Sequence, residues 1–219
     1  MKKNYFKKLL LLFLLISTYS FGQTNLYENP EFVSIAKTHK TIGILPFKTS
    51  IKLRPKQMKD ITPEALQELE KKEGVSVQNG MYSWFLKRKK RGDLVVDIQD
   101  PNRTAALLLK NNIMNNNIYE YTMEEIAKIL GVDSVISGTF ETDKPMSEGA
   151  SVALGVLFGF WGSTNTAVIN ISIHNASDGV LLWNYNKKVR GSIGSSTDDL
   201  INTLMRKTSR RLAYTKNEM

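Results

Sequence analysis

Two histidines and no cysteine are all the imidazole and thiol chemistry that this 219-residue chain can offer. His39 precedes the first expected strand and His174 falls on the polar side of a late one, so a zinc site would have to be built mostly from carboxylates. No histidine accompanies a Gly-x-Ser-x-Gly turn, which removes the usual serine hydrolase arrangement. Gly191-Ser192-Ile193-Gly194-Ser195-Ser196 has the glycines of a phosphate loop but lacks the Lys-Ser/Thr pair that must follow. Ser195, Ser196 or Thr197 is expected to cap the last helix instead. The acid pairs Glu124-Glu125 and Asp198-Asp199 sit in first turns of expected helices, where negative charge meets the positive end of the dipole. The reading is of a protein with no catalytic residues, no cofactor and no metal. An enzyme working through Asp and Ser residues is a lesser alternative.

Two segments have more character than a fold needs. Lys87-Arg88-Lys89-Lys90-Arg91 closes an expected helix, where cations complement the negative dipole end and stay solvated. Contact with anionic lipid or a cell-wall polymer is the functional alternative. Nucleic acid is not expected for an exported protein. Ala150 to Gly162 is apolar, aromatic and uncharged between two expected strands, whereas connecting loops are ordinarily polar. It reads as a buried piece of core or as a surface for a partner or membrane. In the second case Leu154, Leu157, Phe158, Phe160 and Trp161 make the contact, and Gly155 and Gly159 admit a neighbouring backbone.

The elements that must carry these segments begin after a leader. Lys2, Lys3, Lys7 and Lys8 precede the apolar run Leu9 to Ile16, which is followed by Ser17, Thr18 and Ser20, the three-part pattern of a secretory signal peptide. Cleavage is expected between Gly22 and Gln23. The run is shorter than the roughly 20 residues of a spanning helix. Without cysteine the chain is expected not to be a lipoprotein and to have no disulfides. It is expected in the periplasm, with outer-membrane association open. Four of the lysines behind the net charge of +9 lie in the leader, leaving +5 for a remainder that is large enough for one core.

Residues 23–40 read as an arm. Thr41 to Phe47 is the first strand, apolar and ended by Pro46. Thr62-Pro63 opens a helix that Gly74 is expected to interrupt. A second helix, Val75 to Arg91, carries Met81, Trp84, Phe85 and Leu86 on one face. Asp93 to Ile98 reads as a strand, and Asp100-Pro101 opens a helix with Ala105, Leu108, Leu109 and Ile113 in register. Thr122 with Glu125 makes a capping box, and Gly131 a left-handed stop. Val132 to Phe140 is the third strand. Thr166 to Asn175 and Gly179 to Arg190 form a hairpin about Asp178-Gly179. In its first strand Ile169, Ile171 and Ile173 face the core, and Val168, Asn170, Ser172 and His174 face water. Asp198 to Tyr214 reads as an amphipathic helix with Leu200, Ile201, Leu204, Met205 and Leu212 inward.

Three of these segments share a resemblance. Thr41 to Phe47, closing in Leu45-Pro46-Phe47, resembles the opening strand of the superfamily containing the TolB amino-terminal domain, the curli-secretion channel lipoprotein and the lipoprotein activator of penicillin-binding proteins. Ile126 to Thr139 is similar to its helix, Leu-Gly-Val-Asp turn and strand, and Ile169 to Trp183 to its hairpin. The resemblance implies an α/β envelope domain that binds other proteins. The chain departs from the lipoprotein members in having no cysteine to acylate. The apolar segment stands where the channel-forming relative inserts strands into the membrane, but lacks the alternating polar residues of a pore wall.

The expected fold is α/β, a mixed β-sheet of about five strands with helices packed against it, TolB amino-terminal-domain-like. The early strands, joined by helical crossovers, should run parallel. The divisions are a leader at 1–22, an arm at 23–40, one domain at 41–214 and a tail at 215–219. The expected role is a non-enzymatic accessory that binds an envelope protein. The alternative is a self-assembling outer-membrane secretion component, and a homo-oligomer is open in either case.

Overall fold

A computed structural model of the chain describes residues 24–53, 55–59, 61–114, 117–143, 166–190, 197–208 and 212–215. The strands are β1 (Thr24–Glu28), β2 (Thr41–Ile44), β3 (Lys48–Ile51), β4 (Asp97–Ile98), β5 (Ser134–Thr142), β6 (Thr166–Asn175) and β7 (Leu181–Arg190). The helices are α1 (Phe32–Ala36), α2 (Pro55–Met58), α3 (Pro63–Lys90), α4 (Pro101–Lys110), α5 (Met123–Leu130) and α6 (Thr197–Thr208). The strands form one mixed sheet in the order β1-β7-β6-β5-β2-β4, with β3 also against β5.

The parallel pairs β2 with β4 and β2 with β5, and the antiparallel β6–β7 hairpin, follow the sequence reading. The strands beyond the expected five include β1 and β3. β1 orders the arm, pairing antiparallel with β7 from Thr24 opposite Lys187 to Glu28 opposite Trp183.

β2 and β3 take successive places along β5. Ile42 to Ile44 lie opposite Ser134 to Ile136, and Lys48 to Ile51 opposite Thr139 to Thr142. Between them the chain steps off the ladder at Pro46, which has no N–H to give. Phe47 turns inward there and is 2% exposed. It sits between two glycines. A Cβ on Gly74 would lie 2.1 Å from the Phe47 carbonyl oxygen, and one on Gly138 would lie 2.4 Å from the Phe47 ring and 2.2 Å from the Asn170 carbonyl oxygen.

That packing explains the first correction. α3 is a single helix of 28 residues running through Gly74. The glycine gives close backbone approach rather than a break, and the Phe47 N–H donates to its carbonyl at 3.2 Å. The Gln78 side chain, buried one turn on, donates to the Ile44 carbonyl at 2.6 Å. Of the expected inward face of α3, Met81, Trp84 and Phe85 are buried but Leu86 is 42% exposed.

Three further readings differ. Of Asp93 to Ile98 only Asp97 and Ile98 pair as a strand, while Leu94 bridges to Thr215. α6 ends at Thr208, so Tyr214 belongs to the following turn and not to the helix. The water-facing side of β6 is half-buried throughout, His174 included.

The caps stand as read. Thr62 accepts from the Ala65 N–H, Asp100 from the Asn102 N–H, and Thr122 and Glu125 close a full capping box. Gly131 takes φ 66° and Gly179 φ 69°, the left-handed region that favours glycine.

The core has two parts. On one face of the sheet, Val77, Met81 and Phe85 of α3 and Ile201 and Met205 of α6 cover Ile42, Ile44, Ile136, Phe140, Ile169, Ile171 and Trp183. On the other, Ile126, Ala127 and Leu130 of α5 pack with Leu108 of α4 and with Leu45 and Val135. Among the described residues no helix is long and apolar enough to cross a membrane.

Candidate functional site

The hairpin turn, the start of β2 and the turn into β5 meet at one end of the sheet. Between them and helices α1 and α5 lies a cleft of about 750 Å³ lined by Ser34, Thr38, His39, Glu124, Lys128, Asp133 and residues of the 175–178 turn. Local sequence fixes each piece. Gly131 stops α5 and turns the chain through Val132 to Asp133, and the Asp133 carboxylate accepts from the Lys40 and Thr41 N–H groups at 2.8 Å each. Asp178 accepts from the Val180 N–H at 3.0 Å, closing the turn before Gly179.

His39 forms the floor. Its Nε2 faces the Asn175 carboxamide oxygen at 3.1 Å, so that nitrogen is assigned the proton. Nδ1 then accepts from the Tyr214 hydroxyl at 2.8 Å. Burial holds its pKa below the ordinary 6.5, against weaker upward pulls from the Asn175 hydrogen bond and the Asp133 and Asp178 charges. Burial likewise pushes the Tyr214 hydroxyl well above the ordinary 10.0.

Several polar groups of the cleft are held by hydrogen bonds to the surrounding loops. Its imidazole, its Asn175 carboxamide and the carboxylates of Asp133 and Asp178 all hold loops in place. Glu124 and Lys128 stand exposed on the outer face of α5 one turn apart. The sequence reading had Glu124 only as a capping acid and did not single out Lys128 or Ser177. The Gly131-Val132-Asp133 turn was the signal for this place, but which loops it would tie together depends on pairings distant in sequence.

His174 lies elsewhere. Burial lowers its pKa too, and its Nδ1 is buried with no hydrogen-bond partner among the described residues. Those residues contain no group of three or more His, Asp or Glu that could hold a metal ion.

The basic run closes α3, as expected, but its five residues differ. Arg88 pairs with Asp93 at 3.2 Å and lies 4.9 Å over the Trp84 ring, and Lys89 pairs with Asp97. Lys87, Lys90 and Arg91 are exposed. The proposed contact residues Leu154, Leu157, Phe158, Phe160 and Trp161 and the cleavage pair Gly22 and Gln23 lie outside the described residues.

No family model and no curated protein matches the sequence. Solved structures similar to it include lipoprotein GNA1162 from Neisseria meningitidis, with TM-score 0.44 and 14% identity over 80% of this chain and 98% of that one. A PelC dodecamer from Paraburkholderia phytofirmans matches with TM-score 0.37 and 13% identity over 90% and 99%. The LpoB C-terminal domain from Salmonella enterica matches with TM-score 0.33 and 8% identity over 72% and 94%. The likeness of these neighbours to the chain is one of fold alone. They correct one expectation. GNA1162 is a lipoprotein, against the expectation that this chain is not one; the sequence itself holds no cysteine.

Proposed function

We propose that the chain is a non-enzymatic accessory protein of the bacterial cell envelope that works by holding another protein. The observation that carries this reading is the β1 edge. β1 is the last strand of the sheet, it pairs only with β7 among the described residues, and Asn25, Tyr27 and Glu28 stand exposed along it. A strand in that position turns a row of N–H and C=O groups outward, ready for a partner's strand. The cleft supports the same reading, since its polar groups hold loops rather than a reacting atom. The apolar segment at 150–162 offers the partner a second contact.

Crosslinking in the native host, followed by mass spectrometry, tests this. A single envelope protein crosslinked to residues 24–28, and lost on Tyr27→Lys with the melting temperature unchanged, is the expected result. A detergent-resistant multimer of this chain alone in the outer membrane would overturn it in favour of a self-assembling secretion component.

A further inference from the structure

The end of α3 carries more positive charge than the fold uses. A helix C-terminus is served by cations in its last turn, and Arg88 and Lys89 already stand there, each held by a carboxylate. Lys87, Lys90 and Arg91 make no ion pair among the described residues. Lys87 lies three residues from Lys90 and four from Arg91, spacings at which like charges repel and weaken a helix. The cluster therefore opposes the element that bears it, and an anionic surface would relieve it.

The same end exposes aliphatic side chains. Leu86, one turn before Lys90 on the same face, is 42% exposed. The chain reverses at Gly92, φ 73°, and returns with Val95 41% exposed between buried Leu94 and Val96. Asp93 and Asp97, the acids of this return, are the groups that bind Arg88 and Lys89, so neither cancels the outer three. Lys40, also exposed, adjoins the return, its carbonyl accepting from the Asp97 N–H at 2.7 Å. The one tryptophan here, Trp84, is buried under Arg88.

We propose that Lys87, Lys90 and Arg91, with Leu86 beside them, dock this protein on a membrane surface of anionic phospholipid. Cations around a small aliphatic group suit the headgroup boundary, where charge meets phosphate and the aliphatic carbon reaches the acyl edge. This is independent of the β1 edge, which lies at the far side of the sheet order.

The test is co-sedimentation of the purified full chain with vesicles of phosphatidylglycerol and phosphatidylcholine in equal parts, and with phosphatidylcholine alone. Each basic residue near such a surface contributes about fivefold in affinity. The triple variant Lys87→Gln, Lys90→Gln, Arg91→Gln should bind the anionic vesicles about a hundredfold more weakly. Lys59→Gln, Lys72→Gln, Lys110→Gln, which removes the same charge from other exposed positions, should bind as the parent does. Raised salt should abolish the difference between parent and triple variant. The proposal is overturned if the triple variant keeps the parent's affinity, if the control variant loses as much, or if the parent binds both vesicles equally.

Discussion

Phe47 shows how narrow the tolerance is at single residues. Both glycines that bracket it meet backbone atoms, which cannot swing aside as a side-chain tip can. Gly138→Ala should therefore destabilise the protein by about 3 kcal/mol, at the upper end of overpacking, and Phe47→Ala by about 3–5 kcal/mol through the cavity it leaves. Urea unfolding of both variants would check this, and a Gly138→Ala protein as stable as the parent would refute the packing described. His39 gives a second prediction. Its folded pKa, like that of His174, lies below the unfolded 6.5. The stabilisation is complete above pH 6.5, where both states are neutral, and is lost as pH falls through the lowered folded values, because the unfolded chain takes up protons first. Melting temperature should be level above about pH 7 and decline below pH 6.5. His39→Gln should shallow that decline and leave the part due to His174.

Elements were legible where local chemistry decides them. Thr62-Pro63, Asp100-Pro101, Thr122 with Glu125, Gly131 and Asp178-Gly179 specify caps and turns within a few residues, and each does so here. Thr122→Ala should cost about 1 kcal/mol of stability, measurable by thermal unfolding. Elements were illegible where a distant partner decides them. Thr24 to Glu28 has too little apolar alternation to read as a strand and becomes one by pairing with β7. Lys48 to Ile51 alternates exposed and buried over four residues, too short a signal without the β5 ladder beside it. Gly74 was misread for the same reason, since its purpose is set by Phe47 from another element. The cleft was legible only in its two turns, at Gly131 and at Asp178-Gly179, because their meeting with residues 34–39 is set by pairings distant in sequence. The basic end of α3 could be seen in the sequence, but which of its five cations are already paired could not.

At the scale of the molecule, the last described residues lock the fold. Leu212, Ala213 and Tyr214 are all buried, Tyr214 stacks edge-on against Phe32 with ring centroids 5.4 Å apart, and its carbonyl accepts from the Val95 N–H at 3.1 Å. One short turn thereby joins α1, the floor of the cleft and the return from α3. Tyr214→Phe keeps the ring and removes only the hydroxyl that meets His39, so it should cost about 1 kcal/mol. Deleting residues 212–219 should remove the whole contact and lower the melting temperature by many degrees, read by calorimetry.

The pairing of β1 with β7 also sets a clock. Thr24 meets Lys187, about 160 residues further along the chain. At ribosomal speeds of roughly 5–20 residues per second, the first strand waits on the order of 8 to 30 s for its neighbour to be made. During that interval its unpaired backbone is open to any chaperone or competing strand, and closing so long a loop is among the slower events of folding. The strand by which the finished protein would hold a partner is thus the first to be synthesised, yet it completes its own pairing only after the seventh has been made.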